Sequence, residues 1–448
     1  MIPEKWRRGE VAVVGLARSG LAAARWLTSQ DVKVYASDIS ETSELRSRVQ
    51  QLDAGLVAVD LGYHDISRIA QASAVVVSPG IDPDAACVRV ARENDVEVIA
   101  ELELAARAMH DTKLVIVTGT NGKTTTVALA GSILSTGGLD SSVAGNIGRP
   151  LIELASGNSI PDWVVVEASS FQLHDCHELA PVVGVLTNLF PDHLDRYADL
   201  DSYYADKKRI FQNADSQSIW ILNGDQPAVT DLAARAPGDR LSWSLVGRAD
   251  AWYDRVGKQL MLGEAKLVER LDVQLLGDHN VANCLAAALT GQAAGVARDN
   301  IAEAIAGFAP LPHRLELVGT IGGVLWINDS KATNVASTRV AFESMDRPFV
   351  ALVGGRHKGE PYDPLAQAGG TMCKAVVTFG EASGVVLEDL GAVMWVTVAG
   401  NFNEAFEAAR DLSEPDGIVL LSPACSSFDM FENYEQRGER FRDLVLNQ

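Results

Sequence analysis

The feature that most constrains the fold is the stretch "VTGTNGKTTT" at residues 117–126. It follows an apolar run, "KLVIV", and precedes the helix-like "VALAGSIL". A glycine-rich turn between a strand and a helix gathers backbone N–H groups at the helix N-terminus, where the helix dipole also favours an anion. The turn is a variant of the P-loop pattern G-x-x-x-x-G-K-[ST] in which the first glycine is displaced. We predict that it binds nucleotide phosphates rather than serving as a plain strand–helix junction.

Length and composition narrow the classes of protein further. A chain of 448 residues, of which 47% are hydrophobic and 22% charged, favours about three domains with large cores. The net charge of −21 argues against general nucleic-acid binding and against an anionic membrane surface. No apolar run approaches the roughly 20 residues of a membrane span, and the N-terminal "MIPEKWRRGE" lacks a signal-peptide pattern. We therefore expect a cytoplasmic protein with no nucleic-acid partner and no membrane insertion.

Cysteine and histidine usage gives only a weak metal signal. The five cysteines are scattered and form no C-x-x-C pair. "HDCHE" at 174–178 gathers two histidines, one cysteine and two carboxylates, which are all possible metal ligands. Because no second ligand pair lies at a useful distance, we interpret this segment as a polar loop or helix start.

The N-terminal part of the chain predicts a small Rossmann-like nucleotide-binding domain at 1–104. "EVAVVGLARSGLAAARWL" predicts a strand, a glycine turn and a helix, and "VKVYASD" predicts a second strand that ends at Asp38. "AVVVSPG" and "VEVIAE" predict two more strands. The turn reads G-x-A-x-x-G from Gly15 to Gly20, and Asp38 stands where a ribose-binding acid belongs.

Two more α/β regions follow. The central one, at 105–310, carries the phosphate loop and the apolar strands "LVIVTG", "WVVVEAS" and "VVGVLTN". Glu167 ends the second of these strands, where a magnesium ligand of the Walker-B type would lie. The third region, at 311–448, contains "GVLWIND", "FVALVGG", "AVVTFG" and "GIVLLSP". The predicted fold is three consecutive α/β domains: Rossmann-like, P-loop ATP-binding and again Rossmann-like.

Several motifs occur in one order along the chain: "GTNGKTT", "GNIG", "EASSFQL", "NLFPDHLDRY", "GDHNVANCLAA", "PHRLE", "NDSKATN" and "SPACSSFDMFENYEQRG". Together they resemble the Mur ligase family, whose members join an amino acid to the carboxylate of a UDP-sugar at the expense of ATP. The resemblance covers essentially the whole chain. The last two motifs resemble the members that use D-glutamate, and folylpolyglutamate synthases share some of the others. A different acceptor amino acid, or a UDP-sugar-binding regulator without catalysis, remains an alternative.

The resemblance implies UDP-N-acetylmuramoyl-L-alanine and D-glutamate as substrates, ATP and two Mg²⁺ ions as cofactors, and an acyl-phosphate intermediate. It also implies a monomer that acts in cytoplasmic peptidoglycan precursor synthesis. Lys207 would carry a CO₂-derived carbamate that binds Mg²⁺, with the neighbouring Lys208 as the alternative register. Lys123, His193 and Lys207 are the implied catalytic residues.

Binding residues carried over from the resemblance fall into four sets. The ATP set is Gly119, Thr120, Asn121, Gly122, Lys123, Thr124, Thr125, His279, Asn283, Arg314 and Asp329. The metal set is Thr124, Glu167, His193 and Lys207. The UDP-sugar set is Leu16, Ala17, Arg18, Asp38, Ser78, Pro79, Gly80, Asn146 and His193. The D-glutamate set is Lys331, Thr333, Lys358, Ser427, Phe428 and Tyr434.

Three positions in these sets carry qualifications. The Ala17-Arg18 pair departs from the commonest family turn, and Arg18 could pair with the pyrophosphate itself. The segment "HNVANCLAAA", which carries Asn283, could instead be simply a helix start with an asparagine cap.

Overall fold

A computed structural model of the chain describes residues 2–146, 148–157, 159–193 and 196–447. Within these residues the strands form three sheets. Ile147 of "GNIG" and Asp195 of "PDHLDRY" lie outside the described residues. None of the described helices is both long and apolar enough to cross a bilayer.

The first sheet is parallel and has the strand order β3-β2-β1-β4-β5. Its central strand, "EVAVV", is buried on both faces, as expected when helices cover a parallel sheet. The strands are β1 (Glu10–Val14), β2 (Lys33–Asp38), β3 (Val57–Leu61), β4 (Ala74–Val77) and β5 (Val98–Ala100). The helices are α1 (Glu4–Arg8), α2 (Arg18–Ser29), α3 (Ser43–Val49), α4 (Ile66–Ile69), α5 (Ala86–Glu93) and α6 (Glu101–Ala108).

The second sheet has the order β14-β13-β12-β11-β10-β9-β6-β8-β7, with β12 and β13 antiparallel. Its strands are β6 (Lys113–Thr118), β7 (Ser141–Gly145), β8 (Trp163–Glu167), β9 (Val183–Leu186), β10 (Ile219–Asn223), β11 (Asp239–Ser244), β12 (Ala251–Asp254), β13 (Gln259–Leu262) and β14 (Ala265–Glu269). The helices are α7 (Lys123–Thr136), α8 (Ile152–Ala155), α9 (Ser170–Leu173), α10 (Leu200–Lys208), α11 (Pro227–Ala233), α12 (Asp278–Ala293) and α13 (Arg298–Gly307), with 3₁₀ turns at Arg209–Phe211 and Arg270–Asp272.

The third sheet has the order β15-β16-β20-β17-β18-β19 and is parallel except for the β15–β16 pair. Its strands are β15 (Glu316–Ile321), β16 (Val324–Asn328), β17 (Phe349–Gly354), β18 (Cys373–Phe379), β19 (Val396–Val398) and β20 (Ile418–Leu421). The helices are α14 (Val335–Glu343), α15 (Asp363–Gly369), α16 (Ser383–Leu390), α17 (Phe402–Leu412) and α18 (Tyr434–Leu446). Consecutive α/β regions, as predicted, are therefore confirmed.

The chain divides into two compact units. The first unit contains Met1–Leu189, Asp201–Leu267 and Asn283–Ile305, and it includes the first sheet and most of the second. One hydrophobic cluster joins Val11 and Val34 of the first sheet to Ile116 and Val164 of the second. The second unit contains Phe190–Leu200, Val268–Ala282 and Ala306–Gln448, with the third sheet. The domain boundaries at 104/105 and 310/311 stay a prediction.

Candidate active site

The phosphate loop is braced by the segment that follows β9. Asn188 accepts the Thr120 N–H through its backbone oxygen at 2.9 Å and the Asn121 N–H through its side-chain Oδ1 at 2.8 Å. A Cβ on Gly119 would lie 2.0 Å from Thr187 Oγ1, so the loop can pass this close only as glycine. The loop shape is thus set by the segment after β9 as well as by its own residues.

Helix α7 begins directly after the loop. Its N-cap is Gly122, with φ of +81°, which supplies no side-chain oxygen to the first N–H groups of the helix. Such a helix start is suited to an anion. Lys123 Nζ lies over the loop and donates to the carbonyl oxygens of Gly119 at 3.0 Å and Thr120 at 2.7 Å. Thr124 and Thr125 are buried in the first turn.

Glu167 ends β8 where the phosphate loop begins, since it is in register with Val117 of β6 and Gly145 of β7. Asn146 Nδ2 donates to its Oε1 at 3.0 Å. Its Oε2 is buried and has no hydrogen-bond partner within the described residues. A buried oxygen without a hydrogen-bond partner lowers the stability of the fold. A carboxylate oxygen beside a phosphate loop is a suitable ligand for Mg²⁺. The position of Glu167 agrees with the prediction made from the sequence, and its role as a magnesium ligand stays a prediction.

Lys207 is buried in α10 against the phosphate loop, with 1% of its surface exposed. Its Nζ donates to the Gly119 carbonyl at 2.8 Å and lies 4.5 Å from the centre of the Tyr203 ring. The Tyr203 hydroxyl lies 3.3 Å from Thr120 Oγ1. Lys208 is exposed to solvent. Of the two candidate lysines, Lys207 is the one in contact with the loop.

Asn283 lies inside α12 and not at its start, because the helix begins at Asp278. Its Oδ1 accepts from Thr126 Oγ1 at 3.3 Å, and a Cβ on Gly122 would lie 2.4 Å from the same oxygen. Asn283 is therefore not the cap of α12, although a helix does start in this segment, as the alternative interpretation expected. Asn283 packs against the last glycine of the phosphate loop.

Asp38 closes the first glycine turn. Its Oδ2 accepts the Leu16 N–H at 2.6 Å, and its Oδ1 accepts the Ser40 N–H at 2.8 Å. Ser78 Oγ donates to the Gly15 carbonyl at 2.7 Å. The predicted UDP-sugar residues 16–18, 38 and 78–80 therefore meet at the carboxyl ends of β1, β2 and β4.

Arg18 reaches from the first sheet to the second. Its guanidinium donates to the carbonyl of Gly148 in the "GNIG" motif. In the same motif, Asn146 holds Glu167. The structure thus brings the first-sheet members of the UDP-sugar set close to the loop that carries Asn146.

In the second unit, Arg314 lies close enough to both His279 and Asp329 to influence their charge. Burial, with a smaller effect of Arg314, lowers the pKa of His279 to about 4. Burial raises the pKa of Asp329 to about 7, although Ser422 Oγ donates to its Oδ2 at 2.8 Å and the Leu315 N–H to its Oδ1 at 3.3 Å. Within this unit, Arg314 thus lies near each of the two other predicted ATP residues.

His193 also belongs to the second unit and has a left-handed backbone, with φ of +57°. Asp192 Oδ1 accepts the His193 N–H at 2.9 Å, and Asp192 Oδ2 lies 3.7 Å from His193 Nε2. Asn334 Nδ2 donates to that Oδ2 at 3.1 Å. A carboxylate beside the ring is the usual second partner of a metal-binding histidine.

The predicted D-glutamate residues come from the loops after β16, β17 and β20 and, for Tyr434, from the start of α18. Lys331 Nζ lies 5.1 Å from the centre of the Tyr434 ring. Ser427 is buried, whereas Phe428 is 62% exposed. The partly buried members of this set are Thr333, Lys358, Lys331 and Tyr434.

Comparison with protein-family models matches three domains in chain order. The MurD-like N-terminal domain of Mur ligases matches residues 9–100, the Mur ligase middle domain matches 117–291, and the Mur ligase glutamate ligase domain matches 313–425. A UDP-N-acetylmuramoylalanine–D-glutamate ligase of Geobacter metallireducens is 40% identical over 97% of this chain and 96% of its own. One from Geotalea uraniireducens is 39% identical over 97% of each chain.

The chain belongs to the Mur ligase family.

Solved structures agree with this assignment at the level of the fold. This Mur ligase superposes on UDP-N-acetylmuramate-alanine ligase MurC from Thermotoga maritima with a TM-score of 0.63 and 18% identity, over 98% of this chain and 99% of that one. A pseudomurein peptide ligase type C from Methanothermus fervidus gives 0.62 and 20%, over 98% and 99%. A Mycobacterium tuberculosis folylpolyglutamate synthase gives 0.58 and 17%, over 76% and 93%.

Two groups of residues in this Mur ligase were missed by the sequence analysis. The first lines a cavity of about 430 Å³ beside the Asp38 turn, with Tyr63 and Ile39 exposed at its mouth. His64, in the same wall, lies 2.9 Å through Nδ1 from Ser37 Oγ, and burial lowers its pKa. Tyr63 and His64 follow β3, which the sequence analysis did not predict, so nothing pointed to "GYHD".

The second group that the sequence analysis missed is a single residue, Arg437 in "YEQRG". It is fully buried, and its guanidinium donates to Ser330 Oγ at 3.0 Å and to the carbonyls of Ser330 at 2.8 Å, Cys425 at 3.1 Å and Gly354 at 3.4 Å. Burial lowers its pKa to about 10. Arg437 thus ties together the three loops that carry the predicted D-glutamate residues. An arginine on a helix usually faces solvent, so its sequence position carried no signal.

Proposed function

We propose that this Mur ligase joins D-glutamate to the carboxyl group of UDP-N-acetylmuramoyl-L-alanine, with ATP cleaved to ADP and phosphate. The reaction belongs to peptidoglycan precursor synthesis and takes place in the cytoplasm. One observation carries the proposal: the phosphate loop, Glu167 and the buried Lys207 converge in a chain that matches enzymes of that name over nearly their whole length.

The chemistry requires activation of a carboxylate, because a carboxylate is a poor electrophile. The γ-phosphoryl group moves from ATP to the substrate carboxylate and gives an acyl phosphate. The amine of D-glutamate then attacks the acyl carbon, loses a proton and expels phosphate. Phosphoryl transfer between anions depends mainly on charge neutralisation and positioning. Lys123 and the N–H groups at the start of α7 bind the β- and γ-phosphates for this purpose.

Two metal sites complete the phosphate site. Thr124 and Glu167 hold one Mg²⁺, and His193 with a carbamate on Lys207 holds the other. Bound Mg²⁺ offsets the repulsion between ATP and the substrate carboxylate. The buried Oε2 of Glu167 supports the first site. The carboxylate of Asp192 beside the His193 ring supports the second.

The carbamate on Lys207 solves an electrostatic problem. A lysine ammonium next to Mg²⁺ would repel it, whereas a carbamate carries a negative charge and offers oxygen ligands. It forms when the neutral Lys207 amine adds to the carbon of CO₂ and releases a proton. The burial of Lys207 against the loop and the exposure of Lys208 support this position of the modification.

The remaining sets bind the two substrates. The UDP-sugar lies along the first glycine turn, with Asp38, the segment 78–80 and Asn146. D-glutamate needs two positive or N–H-rich sites separated by the length of a side chain. Lys331 and Lys358 supply the positive charge, Thr333 and Ser427 supply hydroxyl groups, and Phe428 and Tyr434 form an apolar wall.

A phosphate-release assay tests the proposal. The protein is given ATP, Mg²⁺ and UDP-N-acetylmuramoyl-L-alanine with D-glutamate, L-glutamate, L-alanine or a diamino acid, and we expect turnover with D-glutamate alone. Equal rates with L-alanine or a diamino acid would indicate another Mur ligase activity. UDP-sugar binding without turnover for any amino acid would indicate a regulator.

The carbamate is tested by a matched pair of lysine variants. Lys207→Ala should be inactive and partly restored by a short carboxylic acid that occupies the place of the carbamate. Lys208→Ala should keep most of its activity. The reverse result would move the role to Lys208, and full activity of both variants would remove the carbamate from the mechanism.

A further inference from the structure

The segment 174–179, "HDCHEL", is not used by the proposed reaction, yet it makes polar contacts with two other parts of the chain. It follows α9 and lies in the first unit. Within the described residues, no three His, Cys, Asp or Glu side chains converge in the way that a metal ion would need. The contacts of the segment run instead to two neighbouring parts of the same unit.

On one side the segment is fastened to the first sheet. The carboxylate of Glu103, fully buried in α6, accepts the backbone N–H groups of His177 at 3.2 Å, Glu178 at 2.9 Å and Leu179 at 3.0 Å. Three N–H donors on one carboxylate make a strong, directional anchor.

Further contacts reinforce this side. The Ala100 N–H donates to the Asp175 carbonyl at 2.9 Å, and Arg92 pairs with the Asp175 carboxylate at 2.7 Å. His177 Nε2 lies 2.8 Å from the Val98 carbonyl oxygen. These contacts bond the segment to β5, α5 and α6 of the first-sheet region.

On the other side the segment holds α10. His174 Nδ1 lies 2.9 and 3.0 Å from the two carboxylate oxygens of Asp206, which is 5% exposed and directly precedes Lys207. Because a carboxylate can only accept, His174 Nδ1 is the donor. Beyond the helix, Asn213 Nδ2 donates to the carbonyls of His177 at 2.8 Å and Leu179 at 3.1 Å.

These contacts constrain the direction in which Lys207 points. Successive side chains of an α-helix are separated by about 100°, so fixing two of them fixes the rotation of the helix about its axis. Tyr203 is held at Thr120 Oγ1, and Asp206 is held at His174. Lys207 Nζ is thereby kept at the Gly119 carbonyl, 2.8 Å away.

We propose that the segment 174–179 couples the UDP-sugar-binding domain to the phosphate site, and that His174 and Asp206 are positioning residues for Lys207. Glu103 anchors the segment to the first sheet, and the His174–Asp206 pair transmits that position to α10. This inference rests on the role proposed above for Lys207.

The test removes the pair without touching the reacting groups. His174→Ala should lower kcat about tenfold, with the KM values for ATP and the UDP-sugar changed less than about threefold, because a catalytic group displaced by a fraction of an ångström loses rate rather than binding. His174→Asn keeps a donor near the place of Nδ1 and should recover most of kcat. His110→Ala is the matched control, since His110 also lies beside an aspartate, Asp111, but is 65% exposed.

A second readout follows the lysine itself. Protein equilibrated with ¹³C-bicarbonate should show a carbamate resonance that is weaker in His174→Ala than in the parent and is restored in His174→Asn. Unchanged kcat and unchanged resonance in His174→Ala would overturn the inference, as would a loss of kcat that asparagine does not restore.

The two proposals fail separately. A parent protein without the resonance contradicts the carbamate of the proposed function. The tenfold fall in kcat and its recovery by asparagine would then still support the positioning role, and an unchanged kcat would still overturn it.

Discussion

The protein contains two strand–glycine turn–helix units that look alike in sequence but differ in how they are closed. In the first, Asp38 accepts the N–H of Leu16, and the helix α2 begins at Arg18 with no side-chain cap. In the second, a cation covers the loop: Lys123 Nζ donates to the carbonyls of Gly119 and Thr120. The first turn keeps a negative charge at its centre, and the second keeps a positive one.

The difference indicates different ligands. A turn closed by a carboxylate suits hydroxyl and amide groups of a nucleotide sugar, and it leaves the binding of phosphate to a nearby cation such as Arg18. A turn covered by a lysine at a helix start suits a chain of phosphates directly. Similar backbone patterns are thus expected to bind the UDP-sugar and ATP respectively.

Lys123→Ala is the variant with the largest expected effect, and it tests whether the two turns bind separate ligands. We expect turnover to fall by at least about a thousandfold, because the transferring phosphoryl group loses its main protein cation. UDP-sugar affinity should stay nearly unchanged, since that ligand belongs to the other turn. Steady-state assays and calorimetric titration measure the two quantities. A variant that also loses the UDP-sugar would show that the turns do not bind separate ligands.

Asp38→Ala tests the first turn in the same way. The variant loses acceptors for two backbone N–H groups, and hydrogen bonds to a charged group contribute about 1.5–3 kcal/mol each, so we expect the KM for the UDP-sugar to rise about ten- to a hundredfold. The KM for ATP should change little. An equal rise in both KM values would mean that Asp38 supports the whole first unit rather than the first turn.

The two turns also show what the sequence could and could not predict. Both lie after strands that are apolar on both faces, such as β1 and β6, and these strands were predicted. Glu167 could be placed because parallel strands end at one edge of a sheet. In contrast, β3 is only partly buried, and β12 and β13 are four residues long. None of these three strands therefore has a clear periodic pattern of apolar residues.

Residues whose role depends on contacts with distant parts of the chain could not be predicted from the sequence. Arg437 is far along the chain from Ser330 and Gly354, and nothing local indicates that they meet. Tyr63 and His64 depend on the place of β3 in the sheet. The same holds for His174 and Asp206, which are 32 positions apart.

A smaller effect is expected for Arg18→Ala. Arg18 begins α2 directly after the first turn, and its guanidinium donates to the carbonyl of Gly148 in the loop that follows β7. Loss of one exposed charged contact should raise the KM for the UDP-sugar about three- to tenfold and leave kcat within twofold. Arg25→Ala is the matched control, because Arg25 lies on the same helix and bonds Gln51 at the surface. Equal effects of the two variants would exclude a specific contact of Arg18 with the substrate.

We expect the smallest effect on activity for Glu101→Gln. This variant tests the contact between the first-sheet region and the second-sheet region. Glu101 begins α6, which follows the first sheet, and its Oε1 accepts the Ile152 N–H of the second sheet region at 2.7 Å. Its Oε2 is buried with no partner among the described residues, and burial raises its pKa from 4.5 to about 7.

The sign of the pH effect follows from that raised pKa. Below pH 4.5 the carboxyl is neutral in both the folded and the unfolded chain and costs nothing. Between pH 4.5 and about 7 it ionises only in the unfolded chain, so the stability of the parent falls relative to Glu101→Gln. Above about pH 7 the difference is constant, at no more than about 3 kcal/mol in favour of glutamine. Thermal unfolding at pH 5, 6, 7 and 8 measures this profile, and kcat should remain that of the parent.

Glu103→Gln is the control, because the Glu103 carboxylate accepts hydrogen bonds from three N–H groups and Arg107. Its loss should destabilise the protein at pH 5 as well as at pH 8. A Glu101→Gln protein that is no more stable than the parent at pH 8 would mean that Glu101 is solvated in the folded protein, and a fall in kcat would mean that the join between the sheets contributes to turnover.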